Sequence, residues 1–228
     1  MEHIAGWYGK LPVLGDFAQR RLPPGFVTPW DAWLQRGIAG SRAALGEAWL
    51  DHYLTAHVWH FVLMPGVLGR DAWAGVWSPS VDRVGRYFPF TLAAPLPAGQ
   101  AFGASTTALG EWLKGLEEAA RLALLLERDI EPLEAALARL GPPPQAAGPA
   151  GALDGVGARL ARREEFIGLS GLSGDCLGGL ATASLAHALA DYSVWWCYGG
   201  DGRCGGFAHR SLPDAAFLLK MLAYSPDA

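Results

Sequence analysis

The spacing of apolar residues changes along the chain, and each change marks an element. Trp30, Trp33, Leu34, Gly37 and Ile38 recur at i, i+3, i+4, i+7 and i+8, the pattern of one helix face. Thr28-Pro29 just ahead offers a capping hydroxyl and a first-turn proline, so that helix is predicted to open there. Leu45, Trp49 and Tyr53 place a second helix at roughly 42–55. Upstream, Gly6-Trp7-Tyr8-Gly9 and the turn pair Gly15-Asp16 predict extended segments joined by turns over the first 22 residues. Between 57 and 95 the runs become short and β-rich: Val58–Met64, Trp73–Ser78 and Tyr87–Leu92, separated by turn residues. Their short connections favour antiparallel pairing. Pro89 within the third run places that strand at an edge or at a bulge.

Helical spacing returns at 107–127 with Leu109, Trp112, Leu113, Leu116, Ala120 and Ala123, and again after Pro132 with Leu133, Ala136, Leu137 and Leu140. A Pro/Gly-rich stretch at about 141–152 predicts an irregular loop. Residues 175–190 read as helix, and Tyr192–Tyr198 and Phe207–Arg210 as strands around a Gly-rich turn. Ser211-Leu212-Pro213-Asp214 has the spacing of a capping box before a last helix carrying Phe217 and Met221. The predicted fold class is therefore α+β: a mainly antiparallel sheet flanked by helices, with a helical middle segment, in one domain spanning 1–228.

Composition narrows the function. Half of the 228 residues are apolar (51%), and charged residues make up only 18%. With 18 basic against 22 acidic side chains the net charge is −4, which argues against a nucleic-acid binder. The longest uncharged stretch, Tyr87 to Gly110, is broken by prolines and small polar residues, so no membrane-spanning helix is expected. The start, Met-Glu-His-Ile, lacks the basic and apolar regions of a signal peptide, and the expected location is cytoplasmic. Three cysteines do not make a disulfide framework. Ten tryptophans are the unusual feature.

No G-x-S-x-G elbow, phosphate-binding loop, dinucleotide fingerprint or H-E-x-x-H motif is present, and no cofactor is expected. His52, His57 and His60 straddle a helix-to-strand junction, and Cys197, Cys204 and His209 lack the spacing of zinc ligand pairs; both groups read as structural. The informative polar cluster is Ser80, Asp82, Arg83 and Arg86, packed into one connector between apolar strands. Two readings stand side by side: an anion or phosphopeptide site on Ser80, Arg83 and Arg86, or an internal ion pair of Asp82 with an arginine that pins the loop. Asp16 is a candidate partner for one of these arginines. Trp195 and Trp196 are adjacent on a strand and face opposite sides, so either the strand is covered on both faces or one tryptophan is an exposed anchor.

Several of these segments resemble a known family. Gly9-Lys10-Leu11-Pro12, Gly15-Asp16-Phe17, the run Trp30 to Gln35, Ser41-Arg42, the run Pro79 to Arg86, Phe88-Pro89, Ser193 to Trp196 and Leu212-Pro213 are similar to motifs of the TagF family of bacterial type VI secretion. The family usually has Pro at the position of His57 and Arg at that of His60. The resemblance implies a cytoplasmic, non-enzymatic, post-translational repressor that binds a forkhead-associated scaffold component. It carries over no catalytic residue; Asp16, Ser80, Asp82, Arg83 and Arg86 transfer as motif positions, candidates for partner binding or for structure. The alternative is a hydrolase or phosphate-handling enzyme using Ser80, Asp82, Arg83 and Arg86.

Overall fold

The computed structural model describes residues 4–96, 106–144, 155–164 and 176–225. Its framework is a seven-stranded sheet: β1 (Gly6–Gly9), β2 (Ala18–Arg20), β3 (Trp59–Leu63), β4 (Trp73–Ser78), β5 (Phe90–Pro95), β6 (Tyr192–Tyr198) and β7 (Cys204–Arg210). The spatial order is β2-β1-β5-β4-β3-β6-β7, and every neighbouring pair is antiparallel. A meander, β3 to β5, sits in the middle. One hairpin from each end of the chain extends it, β1/β2 beside β5 and β6/β7 beside β3. The α+β class is thus observed.

Both faces of the sheet are covered. One face packs against α1 (Pro24–Leu45), α2 (Trp49–Thr55) and α7 (Ala216–Ala223). The other packs against α3 (Thr106–Leu124) and α4 (Glu131–Leu140), with Ala186 and Leu189 at the margin. Side chains alternate across each strand, so β4 sends Trp73 and Trp77 to the α1 side and Ala74 and Val76 to the α3 side. Because both sets are buried, the central strands carry almost unbroken apolar runs. Two further helices, α5 (Val156–Ala161) and α6 (Cys176–Ala188), lie between α4 and β6 in the chain.

The α1 face is an aromatic layer. Trp30, Trp33, Phe61, Phe217 and Trp195 surround one another, with Trp195 centred 5.8 Å from Trp30, 5.2 Å from Trp33 and 5.3 Å from Phe61. Burying one such ring removes roughly 150–250 Å² from water, worth about 4–6 kcal/mol at about 25 cal/mol per Å². The layer has few acceptors: Trp30 Nε1 donates to Thr91 Oγ1 (3.0 Å), while the indole N–H groups of Trp33, Trp59, Trp77 and Trp195 find no partner among the described residues. Each orphan costs about 1–3 kcal/mol, less than its ring gains by burial.

Several boundaries differ from the sequence reading. Helix α1 opens at Pro24, one turn before Thr28-Pro29, because Phe26 extends the apolar stripe backward and stacks on Trp30 at 5.3 Å. The predicted helix at 42–55 is instead the end of α1, a 3-10 turn at 46–48 and α2. Pro89 lies outside the ladder: β5 starts at Phe90 and is an inner strand between β1 and β4, so neither an edge nor a bulge is needed. Ser211 does not cap α7. Its backbone bridges to β6, its carbonyl accepts Ser193 Oγ (2.8 Å), and the helix begins only at Ala216. The irregular loop expected at about 141–152 falls outside the described residues from 145 onward.

Gly75 shows how tight the middle of the sheet is. A Cβ there would lie 2.2 Å from the Leu92 carbonyl oxygen and 2.6 Å from the Phe61 ring. Gly110 in α3 has nothing within 4 Å of that position. Gly75→Ala is therefore expected to lower unfolding free energy by about 1–3 kcal/mol, and Gly110→Ala to raise it by about 0.5–1 kcal/mol. Urea denaturation checks both signs, and equal midpoints for the two variants would contradict this packing.

Candidate functional site

Segments far apart in the chain converge where β1 ends and the β4–β5 connector, residues 79–89, crosses the sheet margin. The connector closes on itself through a Val81–Tyr87 bridge and an Asp82 N–H to Arg86 C=O bond of 3.1 Å. At its centre is Asp82, only 3% exposed. Its Oδ1 accepts the backbone N–H groups of Val84 (3.0 Å) and Arg86 (2.9 Å). Its Oδ2 accepts Lys10 Nζ (2.9 Å) and Arg86 Nε (2.7 Å). Burial opposes ionisation of this carboxyl, but the four donors outweigh it and hold Asp82 far below the usual carboxylate range.

The same network ties down the β1–β2 turn. Arg86 Nη2 donates to the Gly15 carbonyl at 2.7 Å and approaches Asp16 Oδ1 at 3.5 Å, while Arg83 N–H donates to the Leu14 carbonyl at 3.0 Å. Asp16 itself accepts the Phe17 N–H at 2.8 Å. On the inner side Ser80 Oγ donates to the Lys10 carbonyl (2.7 Å), and Tyr53 Oη bonds both the carbonyl and the N–H of Ser80 (2.8 and 2.9 Å). Tyr53 stacks on Trp49, whose Nε1 donates to Ser41 Oγ (2.9 Å) and whose ring carries Arg42 at 4.1 Å. Burial pushes the Tyr53 phenol well above its ordinary range. Gly9 lets β1 pass beneath the connector: its φ is +131°, and a Cβ would lie 2.1 Å from the Pro89 carbonyl oxygen.

The candidates therefore separate by depth. Ser80 and Asp82 are buried, with every polar atom of the Asp82 carboxylate engaged and the Ser80 hydroxyl committed to a carbonyl. Arg83, Arg86 and Asp16 are exposed. Trp195 is fully buried in the aromatic layer, and Trp196 is half-buried on the α3 face, so these two form no common exposed patch with the connector.

Lys10 and Phe17 belong to this site but were not among the residues singled out from sequence. The clue was available: Lys10 is one of three lysines and sits in the quoted run Gly9 to Pro12. Its ammonium also lies 4.7 Å from the Phe17 ring. A second buried pair was not legible. His60, with no exposed surface, donates Nε2–H to Glu117 Oε2 on α3 at 2.6 Å, and Arg121 bonds the other oxygen. Glu117 is held below its ordinary range because these donors outweigh its partial burial. Among the described residues no group of three or more His, Cys, Asp or Glu side chains is arranged to hold a metal. Cys197 faces the core while Cys204, paired with Tyr198 across the hairpin, is exposed on the other face.

Removing Asp82 leaves Lys10 buried without a counter-charge, whereas removing Lys10 leaves Asp82 held by Arg86 and two N–H groups. Asp82→Ala is expected to cost about 3–5 kcal/mol, and Lys10→Met clearly less, by urea denaturation at neutral pH. The folded pKa of Asp82 lies below its ordinary value of 3.8. Its contribution is thus complete above that value and is lost as pH falls from there toward the depressed one. The gap between wild type and Asp82→Ala should shrink in that acid window; a constant gap would refute the assignment.

The family model of the TagF N-terminal domain, type VI secretion system-associated, matches residues 6–140. The crystal structure of PA0076 from Pseudomonas aeruginosa PAO1 is similar over 96% of this chain and 93% of that chain, with 35% identity and a TM-score of 0.73. No curated protein matches significantly. Among the described residues no helix is long and apolar enough to cross a membrane. The matched span contains the whole of the Lys10–Asp82–Arg86 network, and the chain belongs to the TagF family of type VI secretion system-associated proteins.

Proposed function

We propose that this chain is a cytoplasmic, non-enzymatic regulator of type VI secretion, a repressor that binds a forkhead-associated scaffold component and keeps it from active assembly. The observation that carries this reading is how the motif residues are used. Asp82, Ser80, Lys10 and Tyr53 spend their polar atoms on one another and on backbone groups. None is left as a nucleophile beside a base, the arrangement that covalent catalysis needs. Ser80 donates its hydroxyl proton to the Lys10 carbonyl. Of the four residues on which the hydrolase alternative rested, Ser80 and Asp82 are committed internally, which favours the binding reading, while Arg83 and Arg86 stay exposed. Family membership supplies the accessory role in secretion, and a rigid, charge-bearing loop suits binding better than turnover.

The test is calorimetry of the purified chain with the forkhead-associated protein of its own secretion system, paired with a secretion assay under overexpression. Saturable one-to-one heat and reduced effector release are expected. Absence of binding together with unaltered secretion would overturn the reading.

A further inference from the structure

The connector is built in two layers, and only the inner one serves the fold. Backbone N–H groups of Val84 and Arg86 are fixed on Asp82, and that of Arg83 on Leu14, so the loop is rigid before any partner arrives. Yet its outward side chains do little for stability. Val84 is 65% exposed and Phe17 in the adjoining turn 46% exposed. Phe17 packs on Phe88 at 4.7 Å and on Tyr8 at 6.2 Å and carries Lys10 at 4.7 Å, yet stays about half open to solvent. Arg83 is exposed, and its guanidinium has no hydrogen-bond or ion-pair partner among the described residues. Lys10 and Arg86 are matched by Asp82 and Asp16. Arg83 is therefore the cation of this loop without a matching carboxylate, in a chain whose net charge is −4.

We propose that the rim of Phe17, Arg83, Val84 and Arg86 is the surface that grips the protein partner, and that it takes a segment carrying carboxylates beside an apolar side chain. The inference rests on the function proposed above and adds where and by what chemistry binding occurs. Arginine's planar fork accepts a carboxylate through two parallel bonds. The half-open Phe17 and the exposed Val84 supply the apolar anchor that binding hot spots usually contain. The prior rigidity of the loop lowers the ordering cost of association. A nucleic-acid phosphate chain is disfavoured, because one unmatched arginine on this loop, in a protein of net charge −4, does not make a basic stripe.

Calorimetry with the full chain and the purified forkhead-associated component tests this. Wild-type affinity should fall as salt is raised. Arg83→Glu and Val84→Asp should each weaken binding about tenfold or more, and Arg83→Glu should also flatten the salt dependence. Leu125→Asp, at a 76% exposed position just after α3, should bind like wild type. Circular dichroism should show all three variants folded, since none of these side chains is buried. If wild type binds and the Arg83 and Val84 variants bind equally well, this surface is wrong and the function stands. If wild type does not bind, the surface falls, and with unaltered secretion the function falls with it.

Discussion

Asp82 is the point on which the functional end of this protein depends. A carboxylate taken out of water is costly unless it is fully paired. Here the pairing comes from two separate segments: Lys10 after β1, and the connector itself, through the Arg86 side chain and the N–H groups of Val84 and Arg86. Satisfying one buried charge therefore fixes the mutual position of the β1–β2 turn and the β4–β5 connector. Arg86 extends the tie to Gly15 and Asp16, and Ser80 and Tyr53 extend it inward to α2. The result is an exposed rim held rigid by a buried interior.

That interior rests on an unusual sheet. An antiparallel sheet with one wet face would alternate apolar and polar residues, but this one is covered by α1, α2 and α7 on one side and by α3 and α4 on the other. Seven tryptophans are buried on the α1 side. The indole N–H groups left without partners there show that area won over hydrogen bonding: a ring's burial outweighs one orphan donor. On the α3 side the polar exception, His60, is accommodated because α3 brings Glu117 to it.

Much of the fold was readable because local patterns agreed with the final structure. The run Trp73 to Ser78 became β4 without change, and the long amphipathic run at 107–127 became α3. Errors fell where tertiary pairing overrode local signals. Pro89 reads as an edge-strand residue, yet β1 arrives from far upstream and pairs from Phe90 onward, leaving the proline outside the ladder. Ser211 reads as a cap, yet its backbone is drawn into the sheet beside β6. Within the site, Asp82, Arg86 and Asp16 were legible as a charged cluster, but Lys10 was not. Its relation to Asp82 spans 72 positions and follows only from β1 lying beside β5.

The sequence by itself determined the class of the fold, the likeness of its motifs to the TagF family, and a net charge of −4 that argues against a nucleic-acid surface. It could do so because periodicity, motif strings and net charge are properties of order along the chain. Only the tertiary structure decided which charges are spent and which are offered. Asp82 and Arg83 are neighbours in sequence, but one is sealed beneath four donors and the other faces solvent without a partner. Burial and pairing are relations between distant segments, created when β1, the connector and α2 close on one another. The same holds for Trp195, which adjacency to Trp196 left undecided and which the arrival of α1 and α7 placed in the core.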